Sequence, residues 1–206
     1  MRFGMGIIAS LCVVLAASAV GANMLTNPGF EEGLNGWGFF GNVYHETTNP
    51  PQFVPYEGDG LVSMFGNWSG PYNVSGIYQE FPTSPGECYS LSAKSRHWSG
   101  DPMMGAGAPD FNWVVQKIVW FDVNHTEIGG VESTILDGTF PTDVWFDNDP
   151  VIGTAPDGAV TVGAYILYIQ PANDGGAAHI DLVDFEYLGP SATESTTWGG
   201  IKHLYR

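Results

Sequence analysis

The stretch NMLTNPGFEEGLNGW, residues 23–37, joins a short apolar run, a turn and two carboxylates before a tryptophan. Asn-Pro-Gly at 27–29 favours a tight turn, because Pro presets its φ and Gly accepts a positive φ. Such a turn delivers Phe30 into a core and leaves Glu31 and Glu32 beside the returning chain. The stretch therefore predicts the opening strand and turn of a β-domain.

The first 22 residues have the layout of a secretory signal. Arg2 precedes an apolar run from Ile7 to Val20, and small residues continue to Ala22. The run is shorter than the roughly 20 residues that span a bilayer, which argues against an N-terminal membrane anchor. We expect cleavage after Ala22, a secreted or surface-displayed domain over 23–188, and no membrane insertion.

The chain is strongly acidic. It has 22 acidic and 6 basic residues, and a net charge of −16. Such a charge repels nucleic acids and anionic membranes and suits cations or neutral ligands. Cys88 is the cysteine left after signal removal, so no internal disulfide is expected.

Short runs of β-branched and aromatic residues recur between Gly and Pro. They include GLVSMFG, GIYQEF, CYSLSAKSRHW, WVVQKIVWFDV, AVTVGAYILYIQP and HIDLVDFEYL. Runs at this spacing predict an all-β sandwich or barrel. Two stretches, 99–112 and 146–158, read as long loops, and a polar spacer with a basic-aromatic tail occupies 189–206.

Together these runs resemble carbohydrate-binding modules of the CenC-like type, families 4 and 9, in the galactose-binding-like jelly-roll superfamily. The matching motifs are NMLTNPGFEEGLNGW, GIYQEFPTSPGECYSLSA, VVQKIVWFD, APDGAVTVGAYI and HIDLVDFEYL, in that order. The resemblance implies an all-β fold, an antiparallel β-sandwich jelly roll, and a non-catalytic module that binds carbohydrate. The fold alone leaves the ligand open, because it hosts many functions.

The resemblance also implies a structural calcium ion between the first and last strands. Glu31 and Asp181 would be its carboxylate ligands, and backbone oxygens near Asn23 and around residues 57–60 would help to fill a shell of six to eight oxygens. Leu182 replaces the second Asp of the family's closing pair, and Asp184 is an additional acid. The metal residues implied are Glu31, Glu57, Asp59 and Asp181. The alternative is that Glu31 and Asp181 are ordinary turn and edge carboxylates.

Sugar sites place polar side chains beside aromatic faces. Trp98 shares a strand face with Lys94 and Arg96 at period two, and Trp113 shares a strand face with Lys117, so these residues could form one surface. The alternative is that the tryptophans cap a sheet edge and the bases pair with acids.

A second candidate is the loop GNWSGPYN, 66–73, with Trp68 and Tyr72; these residues could instead plug the core under a loop. The resemblance implies that Trp37 and Trp145 pack in the core. The 189–206 tail resembles short C-terminal segments of exported bacterial proteins, which implies a sorting or surface-attachment role.

Catalysis is not expected, because the sequence holds no nucleophile elbow, zinc helix motif or phosphate loop. Two other functions remain open. One is a structural or adhesive surface protein that keeps the fold without binding sugar. The other is a glycoside hydrolase that uses a carboxylate pair.

Overall fold

A computed structural model describes residues 21–48, 52–66, 72–105, 111–172 and 175–191. Most of the predicted signal, Trp68 and the tail from residue 192 lie outside these ranges. Across the described ranges no helix is long and apolar enough to cross a membrane.

The regular secondary structure of the described residues consists of β-strands. The strands are β1 (Gly38–Phe40), β2 (Asn42–Thr47), β3 (Gly60–Phe65), β4 (Asn73–Pro82), β5 (Glu87–Arg96), β6 (Trp113–Phe121), β7 (Glu127–Asp137), β8 (Phe146–Asp147), β9 (Val151–Thr154), β10 (Thr161–Gln170) and β11 (Ala178–Pro190). One sheet has the order β1-β4-β10-β6-β7, and the other has the order β2-β3-β11-β5-β8 with β9 also paired to β5. All pairs are antiparallel, so the predicted β-sandwich is confirmed.

The core lies between the two sheets and follows from period-two alternation. Ile77, Ile118 and Ile166 point inward from the five-stranded sheet and are fully buried. Leu91 and Phe185 face them from the six-stranded sheet and are also fully buried. Residues between these positions point outward, and each sheet therefore presents an outer face.

The opening stretch folds as a turn that buries Phe30 and Trp37, whose rings lie 5.1 Å apart. Positive φ angles occur at Asn27 (52°) and Phe30 (59°), and not at Gly29 as the turn pattern predicts. The Asn27 side chain supports this backbone by donating to Gly33 O at 2.8 Å and accepting from the Glu32 amide at 3.1 Å. The turn is therefore held by an asparagine side chain, which tolerates the left-handed region well.

Two boundaries differ from the sequence-based expectation. The stretch 146–158, read as a loop, contains β8 and β9, which pair with β5. Its Asp and Pro residues resemble a loop, but the edge of β5 supplies hydrogen-bond partners for both short strands. The last strand also runs past the predicted domain end at 188, since Pro190 still pairs with Glu87.

Candidate functional site

A register row crosses the outer face of the five-stranded sheet from edge to edge. It consists of Gly38, Tyr78, Tyr165, Lys117 and Glu132, one from each strand. Directly paired residues of antiparallel strands point to the same face. The chain therefore places two tyrosines, a lysine and a glutamate side by side on one surface.

An aromatic row runs along this surface, and we define it as Phe40, Tyr78, Tyr165, Phe121 and His125. The Tyr78 and Tyr165 rings are stacked, with centroids 4.9 Å apart and planes 8° apart. Phe40 and Phe121 each lie 6.4 Å from the neighbouring tyrosine, and His125 stacks on Phe121 at 4.3 Å. The row crosses four strands, roughly 14 Å at ordinary strand spacing.

Two glycines leave the space that two rings of the aromatic row occupy. Gly38 pairs with Tyr78, and a Cβ on Gly38 would lie 2.5 Å from Tyr78 Cζ. Gly76 pairs with Phe40, and a Cβ there would lie 2.8 Å from Phe40 Cζ. Each ring thus lies over a position where only glycine leaves room, close to the backbone of the sheet.

Polar groups flank the aromatic row. Tyr165 Oη donates a hydrogen bond to Glu80 Oε1, and His125 Nε2 lies 3.0 Å from Glu80 Oε2. Burial, followed by the hydrogen bond to Glu80, raises the pKa of Tyr165, so its hydroxyl stays a donor at neutral pH. Lys117 Nζ lies 2.9 Å from Glu127 Oε1. Hydrogen-bonding groups therefore lie beside the partly exposed rings of Tyr78 and Tyr165, a combination that holds polyhydroxylated ligands.

The predicted residues Trp113 and Lys117 belong to this same outer face. Trp113 lies at the first position of β6 and stacks on Phe111 at 4.7 Å. Lys94, Arg96 and Trp98, in contrast, lie in or directly after β5 of the other sheet. The single surface expected from these five residues is therefore wrong, because the two groups occupy opposite faces of the sandwich.

The two bases on β5, Lys94 and Arg96, pair with acids, which agrees with the alternative that these bases form ion pairs. Lys94 Nζ bonds Asp147 Oδ1. Arg96 is 4% exposed, and its guanidinium donates to Gln52 O at 3.1 Å and to Asp143 Oδ1 at 3.2 Å. Arg96 thus anchors the residue 52 segment onto the sheet instead of facing solvent.

The other predicted aromatic residues divide between core and surface. Trp37 is buried as expected, whereas Trp145 is partly exposed, donates from Nε1 to Val54 O at 2.9 Å and packs against Tyr56. The expectation of a core Trp145 is therefore wrong. Tyr72 is 60% exposed just before β4, so it does not plug the core, and Trp68 lies outside the described residues.

Glu31 and Asp181 converge on the segment that leads into β3. Asp181 Oδ2 accepts from the Tyr56 amide at 2.8 Å and the Glu57 amide at 3.2 Å. Glu31 Oε2 accepts from the Asp59 amide at 2.9 Å. Residues 57 and 59 thus contact the two carboxylates through backbone N–H groups. The expected calcium shell would instead use oxygen atoms from this segment.

The charge of this pair is not balanced by a described base. Burial raises the pKa of Asp181 to about 6; the three backbone amides lower it, and Glu31 adds to the rise. Neither carboxylate forms an ion pair with a basic residue in the described ranges. Within the same ranges no group of three or more His, Cys, Asp or Glu residues is arranged to hold a metal ion.

The site residues that the sequence did not reveal are Phe40, Tyr78, Glu80 and Tyr165. Alternation in GIYQEF places Tyr78 and Glu80 on one side of β4, opposite Ile77, and was a usable signal. The register that sets Tyr78 against Tyr165 joins positions far apart in the chain. No local pattern contains that pairing.

No protein-family profile and no curated protein sequence matches the chain. Solved structures do match. An arabinose-bound GH51 α-L-arabinofuranosidase shares 14% identity at a TM-score of 0.55, covering 85% of this chain and 29% of that one. A Stig cyclase from Fischerella sp. TAU shares 14% identity at a TM-score of 0.53, covering 82% of this chain and 98% of that one.

A family 61 carbohydrate-binding module, solved with β-1,4-galactotriose, shares 17% identity at a TM-score of 0.49, covering 80% of this chain and 98% of the module. Further matches are also carbohydrate-binding modules, from families 16 and 22. At 14% identity the likeness to the arabinofuranosidase and the cyclase extends to the fold alone.

Proposed function

We propose that the protein is a non-catalytic module that binds a carbohydrate chain across the aromatic row. The observation that carries the proposal is the register row itself. It sets the stacked Tyr78 and Tyr165 rings beside Lys117 and Glu132 on one face. If an extended oligosaccharide lay across the strands, its apolar faces would contact the rings and its hydroxyls would contact the polar side chains.

The charges on this face favour a neutral glycan. Glu80, Glu127 and Glu132 contribute carboxylates, and Lys117 is already held by Glu127 at 2.9 Å and lies 4.0 Å from Glu132. No excess positive charge remains for a uronate or sulfate, and like charges across a contact oppose binding. We therefore expect neutral polysaccharides to bind and acidic ones to be rejected.

The test is affinity electrophoresis of residues 23–206 through gels that contain galactan, arabinan, xylan, β-glucan or polygalacturonate. Retardation by a neutral glycan is expected. Tyr165→Ala should then weaken binding about tenfold or more, equivalent to about 1.4 kcal/mol. Tyr165→Phe should cost less, since it keeps the stacked ring and loses only the hydrogen bond to Glu80.

Tyr187→Ala is the matched control, because Tyr187 is also a partly exposed strand tyrosine but lies in β11 of the other sheet. Equal losses in the two variants would contradict the assignment to the aromatic row. Failure of every glycan to retard a folded protein would favour the structural or adhesive alternative. Release of reducing ends from a retained glycan would favour the hydrolase.

Three further parts of the proposal rest on the sequence. We propose a structural calcium ion at Glu31 and Asp181, and the unbalanced charge of that pair supports it. The signal-like residues 1–22 support secretion, and the basic-aromatic end of the chain supports attachment to the cell surface.

A further inference from the structure

A pocket opens on the outer face of the six-stranded sheet, on the opposite side of the sandwich from the aromatic row. Its volume is about 120 Å³, enough for one small ring. Its walls include Phe53, Phe65 and Trp98, and its polar lining includes Gln52, Asp101 and His179. These residues come from four separate segments, so the pocket forms only in the folded chain.

The Trp98 wall is held in place by a turn. The Asp101 amide donates to Trp98 O at 3.2 Å, which closes the turn from 98 to 101. The indole folds over Gly100, where a Cβ would lie 2.5 Å from Trp98 Cζ3. Asp101 Oδ1 accepts from the Gly176 amide at 3.1 Å and ties the turn to the start of β11. The aromatic wall is therefore positioned before any ligand arrives.

His179 lines this pocket, and its imidazole carries an unmet hydrogen-bonding nitrogen. It is 2% exposed, and its ring lies 5.6 Å from Phe53. Its buried Nδ1 has no hydrogen-bond partner among the described residues. A buried polar atom without a partner destabilises the fold, and a ligand hydroxyl that reached the imidazole would offset this cost.

The electrostatics of the pocket disfavour an anion. Arg96 is the nearby base, but its guanidinium is committed to Gln52 O and Asp143. Asp101 contributes a carboxylate to the lining.

We infer that this pocket is a second binding site, separate from the aromatic row, for a single neutral sugar ring. The apolar face of the ring lies against Trp98. Its hydroxyls bond the His179 imidazole, the Asp101 carboxylate and the Gln52 amide. The aromatic row binds several linked sugar units of a glycan, whereas this pocket binds a free monosaccharide or the end of a chain.

The experiment is saturation-transfer NMR of the protein with D-galactose, D-glucose, D-mannose and L-arabinose, each tested alone. We expect transfer to at least one of them. His179→Phe keeps an aromatic ring and removes the unmet nitrogen, so it should fold with an unfolding free energy at least equal to that of the parent. It should weaken monosaccharide binding about tenfold or more, equivalent to the loss of a hydrogen bond to the ligand. Trp98→Ala should do the same.

Tyr165→Ala separates this site from the aromatic row, because it should leave monosaccharide transfer unchanged while glycan retardation is lost. The inference is overturned if no monosaccharide shows transfer, if His179→Phe and Trp98→Ala retain it, or if Tyr165→Ala removes it. It is also overturned if choline or glucuronate gives stronger transfer than every neutral sugar. If the parent protein shows monosaccharide transfer but is retarded by no glycan, the result counts against the aromatic row alone.

Discussion

His179 lies in a row of side chains on the outer face of the six-stranded sheet, between Ser63 of β3 and Arg96 of β5. The segment that carries Phe53 covers it. A histidine in such a place can bond through a neutral imidazole, but its protonation would put a second positive charge next to Arg96. Its neutral state is therefore part of what the fold requires.

This environment predicts an acid-sensitive stability. The pKa of His179 is lowered from 6.5 to about 3 by burial, then by Arg96 and His97, and Asp143 opposes the change. The unfolded chain binds this proton below pH 6.5 and the folded chain does not. His179 therefore stabilises the fold fully above pH 6.5, and this contribution falls as pH decreases towards 3, by about 1.4 kcal/mol per pH unit.

The measurement is the unfolding free energy from urea titrations, from pH 7 down to the lowest pH at which the protein still folds. Chelator is present so that no cation occupies Asp181. His179→Phe should show a shallower loss of unfolding free energy with acidification than the parent. Parallel curves for the parent and His179→Phe would contradict the assignment.

At the scale of elements, the pairing of β1 with β4 builds one end of the aromatic row. Gly38 lies opposite Tyr78 and Gly76 opposite Phe40, so each strand supplies a ring and the space for its partner's ring. An edge strand of three residues thereby positions two of the proposed binding side chains.

Gly38→Ala should therefore disturb binding from a residue that presents no side chain to the ligand. The new Cβ would lie 2.5 Å from Tyr78 Cζ, and the ring must tilt away. We expect about tenfold weaker glycan binding, a changed near-ultraviolet dichroism, and destabilisation of about 1–3 kcal/mol from overpacking. Gly129→Ala is the control, because its Cβ would meet Pro156 Cγ at an ordinary 3.4 Å. Undiminished affinity in Gly38→Ala would argue that Tyr78 does not contact the glycan.

At the scale of the whole molecule, residues 56–60 connect the start of the chain to its last strand. Their amides bond Glu31 of the opening turn and Asp181 of β11. Two carboxylates without a described basic partner meet at this junction. A cation held there would draw the first and last segments together.

We predict that calcium raises the unfolding free energy and that chelator removes the increase. At about one hundred times its Kd, a ligand that binds only the folded state contributes about 2.7 kcal/mol. Asp181→Asn should lose most of this increment, and Asp184→Asn, on the same strand, should keep it. Thermal unfolding with calcium and with chelator makes the comparison. If calcium gives the parent no increment, or if Asp181→Asn keeps the full increment, the proposed calcium site is contradicted.

Much of the architecture is readable in the amino-acid order, because strand alternation and turn residues are local properties. The run CYSLSAKSRHW predicts an inward Tyr89 and Leu91 and an outward Lys94, as the structure has them. The turn that buries Phe30 follows in the same way, whereas the burial of Trp37 was implied by the family resemblance. Local patterns failed at 146–158, where pairing with a distant strand outweighs the composition of the segment.

The candidate sites depended on tertiary structure. Lys94 and Lys117 each alternate correctly within a strand, yet the strands belong to opposite sheets. Tyr78 and Tyr165 are distant in the chain and meet because β10 lies between β4 and β6. Side-chain direction along one strand is set by neighbouring residues, whereas strand order and register are set by how the whole chain buries its apolar surface.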